Sequence, residues 1–319
     1  MMDGSNKTFK VSANPILSIV SPIYKAELFI EKLIFEIQKS VETIGVSYEI
    51  ILVDDRSNDN SWELMKQLSN KFSNVKSIRL SRNFGQHPAI MAGLSQVKGE
   101  WIVVMDCDLQ DQPKEIIQLY NKALEGFEVV QARRSNREDG FLKKLSSKIF
   151  GRIFSFFTDT KYDNEIANFG IYHKKVINSI IEISDYIKFF PLFVNFVGYK
   201  STSISVEHAS REEGKSSYSF SKLMSLAFNT IISFSNKPLK LFVKFGMLIS
   251  FLSFGVGIYY LYQAVNHEIE VSGYASIIIS IWFLSGIIIT TIGVTGIYIG
   301  KIFDQTKNRP VFIIDDIHG

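Results

Sequence analysis

Apolar positions along this chain fall into two regimes. From residue 15 to about 135, compact β-rich runs alternate with segments of helical period. LSIVSPIY is followed by a helix expected over 27–43, YEIILVDD by one over 60–72, VKSIRLS by one over 88–97 and WIVVMD by one over 113–124, with FEVVQAR closing the series. Near-continuous apolar runs separated by helices are the pattern of parallel strands buried on both faces. Several helix starts have visible causes: Asp59 ahead of NSWEL is a cap candidate, and Pro113 stands at a first helical turn. A doubly wound α/β sheet is expected, with ligands gathered at the carboxyl ends of its strands.

The second regime lies toward the end of the chain. Stretches 245–265 and 275–300 contain no charged residue, and each reaches the roughly 20 residues that a membrane-spanning helix requires. The linker NHEIEVSG carries Glu268 and Glu270 but no Lys or Arg, whereas Lys237, Lys240 and Lys244 precede the pair and Lys301, Lys307 and Arg309 follow it. That asymmetry puts both ends of the hairpin on the cytoplasmic side. The opening MMDGSNKTFKVSANP is polar and does not read as a secretion signal. Ahead of the hairpin, 219–234 (SFSKLMSLAFNTIISF) sets Leu223, Leu226, Ala227 and Thr230 with Ile231 at three- and four-residue spacing, with Lys222 its one charge. An amphipathic helix at the membrane surface fits this pattern, and so does a helix packed on the soluble domain. The tail RPVFIIDD holds a short apolar run of strand length. The expected organisation is a flexible 1–14, a catalytic domain over 15–210, a basic loop and juxtamembrane helix over 211–240, two membrane helices within 241–300 and a cytosolic tail over 301–319.

Composition sharpens this picture in two places. The 46% hydrophobic content, and the net charge of +3 from 35 Lys+Arg against 32 Asp+Glu, are averages over the two regimes. The 26 Phe, 13 Tyr and 3 Trp exclude a disordered chain, and Cys107, the only cysteine, excludes a disulfide scaffold or a multi-cysteine zinc site. No nucleic-acid partner is expected.

Candidate chemistry sits where the strands end. Pro22 and Tyr24 end the first strand, Asp54 and Asp55 the second, Arg82 and Asn83 the third, Asp106 and Asp108 the fourth. No GxGxxG follows the first strand and no GxxxxGK[ST] occurs, so neither a dinucleotide fold nor a P-loop has support. In MDCDLQD, strand alternation puts Asp106 and Asp108 on one side of the chain. With the amide of Gln110 as a third oxygen, the set suits Mg²⁺ or Mn²⁺ rather than zinc and leaves room for substrate phosphates. Cys107 points the other way and reads as a small buried apolar residue. His87, ahead of Pro88, reads as a local turn contact, and His173 and His208 have no partner at ligand spacing. The segment RRSNREDGFLKKLSSK (133–148) offers cations for phosphates, and is equally explained as a solvated basic face that attracts anionic lipid.

SIVSPIYKAE, IILVDDRSNDNS, LSRNFGQHPAIMAGL and MDCDLQDQPKEI, in that order, resemble the family 2 glycosyltransferases of GT-A fold, within them the branch of dolichol-phosphate mannose synthase and the bacterial membrane-anchored polyprenyl-phosphate glycosyltransferases. The resemblance covers nearly the whole chain, hairpin included. It implies a GT-A Rossmann-like domain, followed by an interfacial helix and a two-helix anchor in a bacterial-type inner membrane. It implies transfer of a sugar from a UDP- or dTDP-linked donor to polyprenyl phosphate, metal-dependent and inverting, in a chain compatible with a homo-oligomer. By position it assigns the nucleotide to Pro22, Tyr24, Asp54 and Asp55, with Glu27 displaced from the family's usual acidic position, and with Arg82 and Asn83 beside them. It assigns the metal and diphosphate to Asp106, Asp108 and Gln110. Acceptor and phosphate contacts fall on Arg133, Arg134 and Lys148, and Arg211 and Lys215 match a basic loop that covers the donor. Relatives carry an acidic residue where IANFGIYHKK has Asn168. Either the acceptor phosphate requires little deprotonation, or Asp163 or Glu165 has taken over. The rival readings are a transferase acting on another membrane-linked glycan, and a catalytically silent membrane protein that binds nucleotide or lipid.

Overall fold

Helices alternate with strands because the apolar residues do, and a computed structural model describes the outcome for residues 14–134, 151–152, 155–157, 166–207, 231–232, 235–266 and 273–319. The chain divides into two units, one of residues 1–155, 160–218 and 309–319, the other of 156–159 and 219–308. In the first, β1 (Leu17–Ile23), β2 (Tyr48–Asp54), β3 (Val75–Leu80) and β4 (Trp101–Val104) are the strands expected from the apolar runs. The helices between them are α1 (Ile30–Ile44), α2 (Ser61–Lys71) and α3 (Gln86–Leu94), and a 3-10 turn at Pro113–Glu115 leads into α4 (Ile116–Leu124). Beyond these come β5 (Val129–Arg134), β6 (Ile166–His173), α5 (Lys174–Glu182), α6 (Phe190–Phe196) and β7 (Ser201–Val206). The tail supplies β8 (Ile314–His318).

These strands make one sheet in the order β7-β5-β6-β4-β1-β2-β3-β8. Strand β1 lies between β2 and β4, parallel to both, and all seven of its residues are buried. Strands β6 and β8 run antiparallel to their neighbours, so the sheet is mixed. Ile19, Ile50 and Leu52 belong to the cluster that holds Leu33, Ile34 and Ile37 of α1, Met65 of α2 and Leu119 of α4. Each such burial is worth roughly 1.5–3 kcal/mol against exposure. The opposite face carries α3, whose Gly93 lies against Val20 of β1 and Val53 of β2, where an added Cβ would fall 3.0 Å from Val53 Cγ2 and closer still to Val20. Pro22 is tolerated inside β1 because β4 stops at Val104, opposite Val20, leaving a single neighbouring strand at that level.

The apolar run of the tail continues the sheet. Strand β8 pairs antiparallel with β3, Ser81 N–H donates to Ile313 O at 2.9 Å, and Arg56 meets Asp315 at 2.5 Å. Its residues, with Asp315 and Asp316 between Ile314 and Ile317, cover the edge of β3 and leave an outer edge that bears exposed carboxylates, the usual protection against further strand addition.

The second unit contains α7 (Lys237–Val265) and α8 (Tyr274–Thr306), which overrun the charge-free windows at their ends. Both are long and apolar enough to cross a membrane, over Lys237–Val256 and Ser280–Thr306. Large side chains such as Phe251 and Trp282 are more than three-quarters exposed. Hydroxyls of Thr290, Thr291 and Thr295 bond carbonyls one turn back, so these polar atoms are paired within the helix. The amphipathic segment 219–234 lies outside the described residues except for Ile231 and Ile232, which are helical.

His87 differs from the turn contact expected of it. Its ring packs edge-on against Phe189, centroids 4.6 Å apart, and Nδ1 is shielded with no hydrogen-bond partner among the described residues. A residue a hundred positions away along the chain, not the local turn, is its neighbour.

Two predictions follow from this packing. Gly93→Ala should lower the melting temperature of the purified full chain in detergent, by the ~1–3 kcal/mol typical of overpacking; an unchanged transition would show that Val20 and Val53 give way freely. Burial pushes the His87 pKa down to about 4. A depressed folded-state value means its stabilising contribution is whole above the ordinary 6.5 and is lost as pH falls towards 4. His87→Phe should therefore flatten the loss of stability between those pH values, which melts across the range would measure.

Candidate active site at the carboxyl edge of the sheet

Because β1 to β4 are parallel, their carboxyl ends share one edge. Strand β6 is antiparallel to both β4 and β5, and β5 is parallel to β7, so β5 and β7 also end at that edge and β6 begins there. Residues as far apart along the chain as Ile23, at the end of β1, and Val206, at the end of β7, are brought to one rim.

The β1 and β2 ends are stitched together before any ligand is considered. Lys25, at φ 53°, donates its backbone N–H to Ser57 Oγ at 3.0 Å, and Ala26 N–H donates to Ser61 Oγ at 3.1 Å. Tyr24 is about half exposed, with the Lys25 ammonium 5.5 Å from its ring centroid, whereas Pro22 is buried within β1. Glu27 accepts the Asn60 N–H at 2.9 Å, and Asp59 accepts the Ser61 N–H at 3.2 Å, so both carboxylates serve the start of α2.

Asp54 and Asp55 are committed inward. Asp54 is fully buried, accepts the Ser57 N–H at 2.9 Å and has Arg79 Nε 3.4 Å from its second oxygen without a hydrogen-bonding alignment. Asp55 is 3% exposed and accepts the N–H groups of Phe84 at 2.7 Å and Gly85 at 2.8 Å. Burial raises both pKa values; the Ser57 bonds oppose it at Asp54 and the two amides at Asp55. The pair joins the loop after β2 to the loop after β3, where Arg82 and Asn83 are exposed and the Arg82 guanidinium stacks 4.2 Å from the Phe84 ring centroid.

MDCDLQD leaves the sheet sooner than alternation implies. Strand β4 ends at Val104, and residues 107–110 form a turn with Leu109 at φ 58°. Asp106 and Asp108 are therefore brought near one another by a turn and not by strand pleat. Asp106 Oδ1 accepts from Gln86 Nε2 at 2.7 Å, and Asp108 Oδ1 accepts the Gln110 N–H at 3.2 Å. Between them the Cys107 thiol is pushed up to about 12 by burial and by its two anionic neighbours, so it is an inert packing group.

Asp106, Asp108 and Gln110 are all half-buried. Among the described residues no three His, Cys, Asp or Glu side chains gather closely enough to hold a metal by themselves. Two carboxylates and one amide, hard oxygens falling short of a full shell, fit a cation such as Mg²⁺ or Mn²⁺ that completes its coordination with phosphate and water.

On the other side, β5 has a register shift between Gln131 and Arg133 against β6, and Arg134 is the last residue of β5, paired with Val206. Asn168 stands at the start of β6, two residues before Gly170, which pairs with Val104 at the end of β4. It is thus on the same rim as Asp106, two residues beyond Val104. Lys148, Asp163, Glu165, Arg211 and Lys215 lie outside the described residues, as does His208. His173 has a fold role: its Nδ1 accepts the Lys175 N–H at 3.2 Å at the start of α5, and its ring meets Trp101 edge-on. Gln86 was not anticipated. Its one sequence signal is a polar side chain at the first position of α3, and its partner is twenty residues away.

The model of glycosyl transferase family 2 matches residues 18–181, from β1 through α5. The chain is 34% identical over 303 residues to the glycosyltransferase YkcC of Bacillus subtilis, covering 95% of this chain and 94% of that one. It is 31% identical over 304 residues to the glycosyltransferase sll0501 of Synechocystis sp., covering 95% and 96%. The undecaprenyl-phosphate 4-deoxy-4-formamido-L-arabinose transferase of Salmonella paratyphi B is 33% identical over 304 residues, covering 94% and 93%. Among solved structures, mannosyl-3-phosphoglycerate synthase of Rubrobacter xylanophilus aligns with a TM-score of 0.48 and 15% identity, over 69% of this chain and 72% of that one. The family match spans the strands that bear the carboxylate rim, and the relatives extend the likeness through the apolar helices; this chain belongs to glycosyl transferase family 2.

Proposed function

We propose that this protein transfers a sugar from a nucleotide sugar, UDP- or dTDP-linked, to a polyprenyl phosphate at the cytoplasmic face of a membrane. The observation that carries the reading is the coexistence, in one chain, of the Asp106–Asp108 turn at the carboxyl rim with two helices apolar enough to cross a bilayer. A water-soluble donor and a membrane-bound acceptor require both. The Salmonella relative, named for an undecaprenyl-phosphate acceptor, supports the acceptor class through a likeness that includes the helices.

In this reading the donor nucleotide lies along the ends of β1, β2 and β3. Tyr24 offers a half-exposed ring for the base, and Asp54 and Asp55 act through the loops they fasten, since Asp54 is fully buried with Oδ1 bonded to the Ser57 amide and both oxygens of Asp55 accept backbone amides. Arg82 and Asn83 present exposed donors beside them. Asp106, Asp108 and Gln110 would hold a divalent cation, which, when bound, offsets the charge that gathers on a departing diphosphate. Arg133 and Arg134 at the end of β5, with Lys148, Arg211 and Lys215, are assigned to the acceptor phosphate and the donor diphosphate, because guanidinium matches phosphate oxygens in a planar fork.

The displacement itself makes a bond from an acceptor phosphate oxygen to the anomeric carbon, as the bond from that carbon to the diphosphate oxygen breaks with its electron pair. Attack from the face opposite the leaving group inverts the centre. The acceptor monoester has a second pKa near 6 and is mostly dianionic at neutral pH. It therefore reacts without surrendering a proton, and Asn168, an amide, suffices at a position where a carboxylate is common: it orients sugar or phosphate. Holding the two reactants in line supplies the remaining advantage.

The test is release of nucleoside diphosphate by the purified full chain in detergent, with a panel of nucleotide sugars, Mg²⁺ or Mn²⁺ and a short polyprenyl phosphate. Release should need the lipid and should stop on chelation. Lipid-independent binding without turnover would favour a silent binding protein, and activity only on a lipid-linked glycan would shift the acceptor. With the productive donor, Asp108→Ala should lose about 10²–10³ in turnover, the scale of removing an electrostatic contact to developing charge. Asn168→Ala should lose about tenfold or less, and a collapse matching Asp108→Ala would make Asn168 essential to the chemistry.

A further inference from the structure

The loop that opens α3 makes three consecutive contacts with the rim. Phe84 and Gly85 give their backbone N–H groups to the two oxygens of Asp55, and Gln86 gives its side-chain Nε2–H to Asp106 Oδ1 at 2.7 Å. Gly85 adopts φ 101°, a conformation that suits glycine, and its carbonyl accepts the Ala89 N–H at 3.1 Å in the first turn of α3. Farther along, α3 is pressed onto β1 and β2 at Gly93. The backbone of Gln86 is therefore fixed at both ends of a nine-residue helix and at the loop before it.

Asp106 lies outside the strand ladder. It stands two residues past the end of β4 and next to a turn. We infer that Gln86 is a positioning residue: its amide sets the rotamer of the Asp106 carboxylate and so preorganises the pair Asp106 and Asp108 for a divalent cation. A neutral donor fits that task. It orients the carboxylate by one hydrogen bond and leaves the full negative charge, whereas a lysine or arginine there would orient it and cancel the attraction. The same loop reaches Asp55, so the nucleotide side and the cation side of the rim share one rigid piece of backbone. This inference rests on the cation role given above to Asp106.

The test is Mn²⁺ binding to the full chain in detergent, followed by electron paramagnetic resonance of free Mn²⁺, with no substrate present. Gln86→Met keeps length and removes the donor; Gln86→Asn keeps the amide one methylene short of Asp106. Either should weaken Mn²⁺ affinity about 10-fold or more, the usual effect of removing an outer contact to a ligand. Their metal-free melting temperatures should match that of the unaltered chain, and if one variant melts early the other carries the measurement. Turnover should return towards the unaltered kcat when Mn²⁺ is raised, with the change appearing in the KM for metal, which a general packing defect would not produce. Asp108→Asn sets the scale by abolishing measurable binding. If both Gln86 variants bind as tightly as the unaltered chain while Asp108→Asn does not, the cation site stands and the role of Gln86 is overturned. If the unaltered chain itself binds no Mn²⁺, the cation reading fails and the inference falls with it.

Discussion

Parallel pairing of β1 with β2 and β4, and of β2 with β3, is the constraint on which the rest of the molecule depends. Parallel neighbours deliver their carboxyl ends to one edge, so four loops with no sequence relation to one another must meet there. Burying β1 on every residue makes its register part of the packing: a slip by one position would exchange the residues that face α1 for those that face α3, and Ile19 and Val20 would no longer fill the spaces shaped for them. Site geometry is thus inherited from core packing. It needs no separate stabilisation beyond the few hydrogen bonds that tie loop to loop.

Those ties have a cost in direct contact. Asp54 and Asp55 are anions taken out of water, and burial raises both pKa values against the pull of the amides they accept. Desolvating a carboxylate in order to hold two loops is sensible only if the loops must not move. The loop after β2 also meets the tail, through Arg56 and Asp315, and the residue before Arg82 meets it through the bond from Ser81 to Ile313. Chain that follows the two apolar helices therefore adds a strand beside β3 and meets the loops after β2 and β3. The ion pair is exposed and contributes little by itself; the strand ladder of β8 on β3 provides the attachment.

Much of this was legible in the sequence, for reasons that also explain what was not. Strands β1 to β4 are buried on both faces, so their apolar runs are continuous and stand out; α1 displays its buried stripe at Leu33, Ile34, Ile37 and Val41. Strand β6 is a different case. IANFGIYH mixes small, polar and aromatic residues because it begins beside the rim and passes close to its neighbours, with Gly170 admitting the Tyr172 hydroxyl and the Val130 carbonyl within 3 Å of where a Cβ would stand. Strand β7 is half-exposed and rich in serine, which reads as loop. His87 was misjudged since its partner, Phe189, belongs to a segment whose position only the tertiary fold decides.

The turn at Asp106 shows where pattern and geometry part. Alternation along an extended chain and a tight turn with Leu109 at positive φ both set residues 106 and 108 close together, so the same pair is legible for the wrong reason. The distinction matters, because a pleated strand would hold both carboxylates by its ladder, whereas a turn leaves their orientation to side-chain contacts. Asp108 takes one from the Gln110 amide within the turn, and Asp106 takes one from Gln86 across the rim. One contact is local and would form in a peptide; the other exists only when α3 is seated on the sheet. For the cation role proposed above, orientation of the pair would draw on both the turn and the fold, and the packing of α3 would bear on the chemistry.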